Sequence, residues 1–142
     1  MKAKYWFSVF FLCSVLTING QSILGKWKTI DAQDGNRAKS IVEIYEKGGK
    51  IFGRIVDILD PNDKDALCTK CKGEEKNTPV LGLDIIKNML KDGNYYRRGT
   101  IFHPEHGKTF RCRLKLTDDK DVLQVRGYVG FLFATQYWER VN

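Results

Sequence analysis

The run Thr109–Leu116 constrains the chain most. Phe110, Cys112, Leu114 and Leu116 alternate with Thr109, Arg111, Arg113 and Lys115. A period of two with opposite character on its two faces describes a strand with one face buried and the other in water. Similar short runs recur, each ended by turn residues. Ser40–Tyr45 stops at Lys47-Gly48-Gly49-Lys50, and Lys50–Leu59 runs out at Asp60-Pro61-Asn62-Asp63. Tyr95–Phe102 leads into His103-Pro104-Glu105-His106-Gly107, while Asp121–Tyr128 and Phe131–Val141 follow the turn Thr117–Lys120. About seven or eight strands with hairpin-length connections predict an all-β antiparallel barrel or sandwich. One segment departs from the pattern. Ile85, Ile86, Met89 and Leu90 stand at helical spacing ahead of Asp92-Gly93-Asn94, so a short helix near 82–91 and an irregular strand both fit.

The N-terminus reads as a leader rather than as part of the fold. Lys2 and Lys4 precede an apolar run from Tyr5 to Ile18, and Gly20 offers a small residue at a cleavage position. That is the layout of a secretory signal, and the run falls short of the roughly 20 residues that span a bilayer. We therefore expect a signal peptide at 1–20, a single domain at 21–142, and a periplasmic or secreted protein. The formal charge of +7 includes the two leader lysines, which leaves +5 spread in pairs such as Arg97-Arg98 and Arg111/Arg113. Scattered pairs make a solvated surface and not a nucleic-acid stripe, so no nucleic-acid partner is expected.

The ends of the mature chain favour a barrel over a sandwich. Gly25-Lys26-Trp27 opens the first strand and Trp138-Glu139-Arg140 lies in the last. Closing a meander brings these strands together. Arg140 can then lie over Trp27, a cation–π contact of about 0.5–2 kcal/mol. A longer pattern runs through Gly25-x-Trp27, Gly53-Arg54-Ile55-Val56, Cys68-x-x-Cys71 and Pro79-Val80-Leu81-Gly82. It continues through Gly99-x-Ile101-x-x-Pro104-x-x-Gly107-Lys108, Arg126-Gly127-Tyr128-x-Gly130 and Trp138-x-Arg140. This pattern resembles an exported bacterial family known only as domain of unknown function 2147. The resemblance covers essentially the whole mature chain and implies a small lipocalin-like barrel, with no established chemistry attached.

Cys68-Thr69-Lys70-Cys71 is the sharpest local motif. In an oxidising compartment the expected state is a Cys68–Cys71 disulfide pinning the loop between Asp60 and Pro79. A redox-active pair would need Lys70 and Lys72 to lower a thiol pKa, but no strand–motif–helix context surrounds it. A metal reading would join Cys68 and Cys71 to His103 and His106, but the spacings miss those of zinc fingers. The two histidines read more simply as flanks of a hairpin turn, and Cys112, in phase with Phe110 and Leu114, reads as a buried thiol. No nucleophile–base arrangement, carboxylate pair or phosphate-binding glycine loop is present. The sequence thus assigns no catalytic residue, no metal and no cofactor, and it favours a role other than catalysis.

Aromatic residues are spread over most strands and either fill the barrel or line a pocket within it. If a pocket exists, the candidate ligand-binding residues are Arg126, Tyr128, Tyr137 and Trp138, with Arg126 meeting an acidic group. Leu123 and Val125 compete with Arg126 and Tyr128 for the inner face, because successive side chains alternate. The usual arrangement buries the former pair and leaves Arg126 in water. The expected partner is a small apolar or amphiphilic ligand, with peripheral membrane contact also open. A filled barrel acting as an envelope scaffold is the alternative.

Overall fold

A computed structural model describes residues 22–31, 35 and 37–142, so the expected signal peptide lies outside the described residues. The strands are β1 (Gly25–Ile30), β2 (Ala38–Lys47), β3 (Lys50–Ile58), β4 (Asp84–Asp92), β5 (Tyr95–His103), β6 (Lys108–Leu116), β7 (Val122–Val129) and β8 (Leu132–Val141). They form a closed up-and-down barrel in which β1 pairs antiparallel with both β2 and β8. Among the described residues the helical content is one 3-10 turn, Gly73–Glu75.

Of the two readings open at 82–91, the irregular strand holds and the helix does not: the segment is β4, and a bulge explains its helical spacing. Ile51 pairs with Met89 and Gly53 with Ile86, so three residues of β4 span two of β3. The extra residue is taken up at Asn88, whose φ is +61°. A bulge resets the inward phase of a strand, and Ile86 and Met89, three apart, are both fully buried. The facing strand bulges too. Arg98 has φ +66°, and the register slips between Tyr96 and Gly99. The two irregular strands approach closely at Gly99. A Cβ there would lie 2.8 Å from the Met89 amide nitrogen, and closer still to the Lys87 carbonyl oxygen and the Met89 sulfur.

One end of the barrel is filled. Trp27, Val42, Ile44, Ile86, Met89, Leu114 and Leu123 are buried at or near zero exposure and pack as one cluster. Full burial of such side chains contributes about 1.5–3 kcal/mol each. The closing contact expected from the sequence is present, since Trp27 and Arg140 are register partners and the guanidinium carbon sits 4.3 Å from the ring centroid. The Trp27 indole nitrogen donates to the Ile23 carbonyl at 2.8 Å, which lays the segment before β1 across this end. The Arg140 guanidinium donates to the carbonyl oxygens of Ser22 at 2.8 Å, Lys120 at 3.1 Å and Leu24 at 3.2 Å. A planar fork of fixed donors suits such a set of acceptors.

Cys68 and Cys71 form the expected disulfide, inside the long β3–β4 connection. Both are buried, so a thiol reductant must disturb the loop to reach them. The loop is ordered by its own backbone bonds, including Cys68 N–H to Thr78 O at 2.7 Å and Asn77 N–H to Cys68 O at 2.9 Å. Cys112 is free and buried on the inner face of β6. Burial pushes its thiol up to about 12. Because only a thiolate is an effective nucleophile, Cys112 should resist iodoacetamide at pH 8 in the folded protein and react completely once unfolded. Peptide mass spectrometry reads the difference, and prompt native labelling would contradict a buried thiol.

Candidate functional site

The opposite end of the barrel is not filled. A cavity of about 930 Å³ extends from mid-barrel to a mouth bordered by Asp31 at the end of β1 and by the loops after β3, β5 and β7. Its deep walls include Ile55, Ile58, Ile85, Ile101, Val125 and Trp138. Two small residues sit side by side in its wall. Gly127 and Ala134 are register partners on adjacent strands, and both face the cavity. Deeper in, the same strands pair Val125 with Gln136 and Leu123 with Trp138, whose larger side chains close the space.

Polar groups on the wall are few and paired. The hydroxyls of Thr29 and Ser40 are buried and 2.8 Å apart. The Trp138 indole N–H donates to the Gln136 side-chain oxygen at 3.2 Å. A mostly apolar wall with a small number of fixed polar points is the composition of a small-molecule site.

The mouth carries charge. Lys39, at the start of β2, is ion-paired with Glu105 in the β5–β6 turn and so ties two sides of the rim together. That contact, a hydrogen bond from Lys39, holds the Glu105 carboxyl below its usual range. His103, half-buried beneath it, has its pKa lowered mainly by burial and then by the nearby Lys39 charge. Its Nδ1 is shut off from solvent without a hydrogen-bond partner. The turn is backed by the disulfide loop. Gly107 has φ +64°, and a Cβ there would meet the Lys70 carbonyl oxygen at 2.9 Å, so only glycine suits both demands. The rim is also unusually apolar for exposed positions, with Leu67, Val129, Phe131 and Leu132 all exposed.

The ligand-binding candidates separate cleanly. Trp138 lies in the cavity wall. Arg126, Tyr128 and Tyr137 stand on the outer face and do not meet there, because Leu123 and Val125 take the inward phase of β7. Arg126 donates to Thr135 at 2.9 Å and lies 4.2 Å over the Phe133 ring. Tyr128 packs at a tilt against Phe133, and the Tyr137 hydroxyl accepts from Gln124 at 3.4 Å. The disulfide removes Cys68 and Cys71 from the nominal four-ligand metal set. His103 is also less exposed than the flank of a turn should be. The sequence reading missed the Gly127–Ala134 pair and the Lys39–Glu105 bridge. Two small residues on facing strands are a usable signal only once register is known.

Residues 25–140 match the family described as an uncharacterised protein conserved in bacteria, DUF2147. The chain belongs to this family. The DUF2147 barrel is also similar to a solved structure, protein HP1028 from the human pathogen Helicobacter pylori, described as belonging to the lipocalin family. The TM-score is 0.75 at 19% identity, over 87% of this chain and 85% of that one. That likeness establishes a lipocalin-like fold for this DUF2147 protein. No curated protein matches it.

Proposed function

We propose that this protein is an exported, non-enzymatic carrier that holds a small apolar or amphiphilic molecule in the barrel cavity. The observation that carries this reading is the cavity itself. At about 930 Å³ it stands at the upper end of the roughly 300–1,000 Å³ typical of ligand sites. A filled scaffold would have no need of small residues paired in its wall, as Gly127 and Ala134 are. Trp138 contributes apolar wall, while Ser40, Thr29 and Gln136 supply polar points. Lys39 and Lys70 at the mouth take over the role first considered for Arg126, meeting an acidic head group. The exposed Val129, Phe131 and Leu132 support loading from a membrane surface. Export is supported by the N-terminal pattern and by the disulfide, which persists in oxidising compartments.

An acidic fluorescent lipid titrated into the purified protein tests the reading. Wild type should bind it. Gly127→Phe, which places a ring inside the cavity, should weaken binding at least about tenfold, equivalent to about 1.4 kcal/mol. Arg126→Ala should leave affinity within about twofold, since its side chain is outside. No binding by wild type, or full binding by Gly127→Phe, would remove the cavity from the function.

A further inference from the structure

We propose that His103, Glu105 and His106 form a divalent transition-metal site at the cavity mouth. One donor atom from each lies within 4.8 Å of the others. Metal bonds of about 2.0–2.1 Å place tetrahedral donors about 3.3 Å apart, so modest side-chain rotation closes the set. Two imidazoles and one carboxylate match the donor preferences of zinc, nickel and copper and not those of calcium or magnesium.

The turn arranges these donors before any ion arrives. The amides of His106 and Gly107 both donate to the His103 carbonyl, at 3.2 and 2.9 Å. This tight loop brings the two imidazoles together, with centroids 4.5 Å apart and planes 29° from parallel. The disulfide loop packed beneath Gly107 limits its freedom. A second observation points to a missing partner. The Nδ1 of His103 is buried with no hydrogen bond, an arrangement that ordinarily costs about 1–3 kcal/mol.

Glu105 is ion-paired with Lys39, so metal and lysine compete for one carboxylate. An ion would also feel the Lys39 charge directly. Metal binding therefore exchanges the Lys39–Glu105 tie across the mouth for a metal–carboxylate bond. Three protein donors leave at least one coordination position for water or another oxygen ligand. The site goes beyond the carrier reading and stands without it.

The chain has two histidines, both in this turn, which makes the test direct. Zinc and cobalt(II) are titrated into the metal-free, disulfide-intact protein, with calorimetry and imidazole proton NMR as readouts. We expect one ion per chain, a dissociation constant below about 100 µM, and cobalt-induced shifts of both imidazoles at the same stoichiometry. H103Q/H106Q should abolish binding with its circular dichroism unchanged, and E105Q should weaken it about tenfold or more. Lys39→Gln should tighten binding several-fold by freeing Glu105. No zinc or cobalt binding by wild type overturns the site. So do undiminished binding by H103Q/H106Q and weaker binding by Lys39→Gln.

Discussion

Gly99→Ala should destabilise the fold by more than about 3 kcal/mol, at or beyond the top of the usual range for overpacking. The reason is the identity of the atoms that must move. Two of the three nearest contacts of a new Cβ are the backbone oxygen of Lys87 and nitrogen of Met89, and the third is the sulfur of a fully buried side chain. A flexible side chain could swing aside, but backbone inside a bulged, hydrogen-bonded strand pair cannot. Because typical domains are stable by only about 5–15 kcal/mol, the variant should show a sharply lowered urea midpoint or fail to fold. The solvent-facing Lys26→Ala is a suitable control and should change stability within about 0.5 kcal/mol. A loss below about 1 kcal/mol for Gly99→Ala would mean that β4 and β5 are not pressed together at the bulge.

The second large effect belongs to Arg140. Its removal deletes the stacking on Trp27 and leaves the Ser22, Leu24 and Lys120 carbonyls without their shared donor. Charge-assisted hydrogen bonds contribute about 1.5–3 kcal/mol and the cation–π contact about 0.5–2 kcal/mol. These are not additive, and freed carbonyls regain water, so Arg140→Ala should cost about 2–4 kcal/mol. Arg140→Lys should recover only a minor part, since an ammonium cannot reproduce the planar fork. Full rescue by lysine would show that charge alone matters at this end of the barrel. Chemical denaturation of the two variants beside wild type decides the matter.

Much of the fold could be read without coordinates because strand patterning is local. The alternation in Thr109–Leu116 anticipates β6 almost residue for residue, and the leading Gly-x-Trp and trailing arginine foretell the closing contact. The ambiguity between helix and irregular strand at 82–91 has a definite physical origin. A bulge places inward residues three apart, which in sequence is indistinguishable from a helical period. The Arg140 carbonyl network was hidden for another reason, as it depends on where Ser22 and Lys120 come to rest in space. Likewise, Arg126 and Val125 compete for the inner face of one strand, and apolar burial settles the phase for Val125. The cavity was least legible of all. The pairing of its small wall residues, Gly127 beside Ala134, is a consequence of β7–β8 register that neither segment states alone.

The pairing of β1 with β8 also bears on how the molecule forms. Arg140 reaches the Ser22 carbonyl across 118 residues of chain, so this contact closes a loop that takes in the whole ring of strands. Hairpins such as β2–β3 can assemble early from neighbouring residues, but the ring of strands cannot close until the last one has been synthesised. Folding rates fall as such distant contacts come to dominate. A nascent chain of this design should linger as separate hairpins with open edges, pliable enough to be threaded through a narrow pore. It should become a rigid vessel only when its two ends meet.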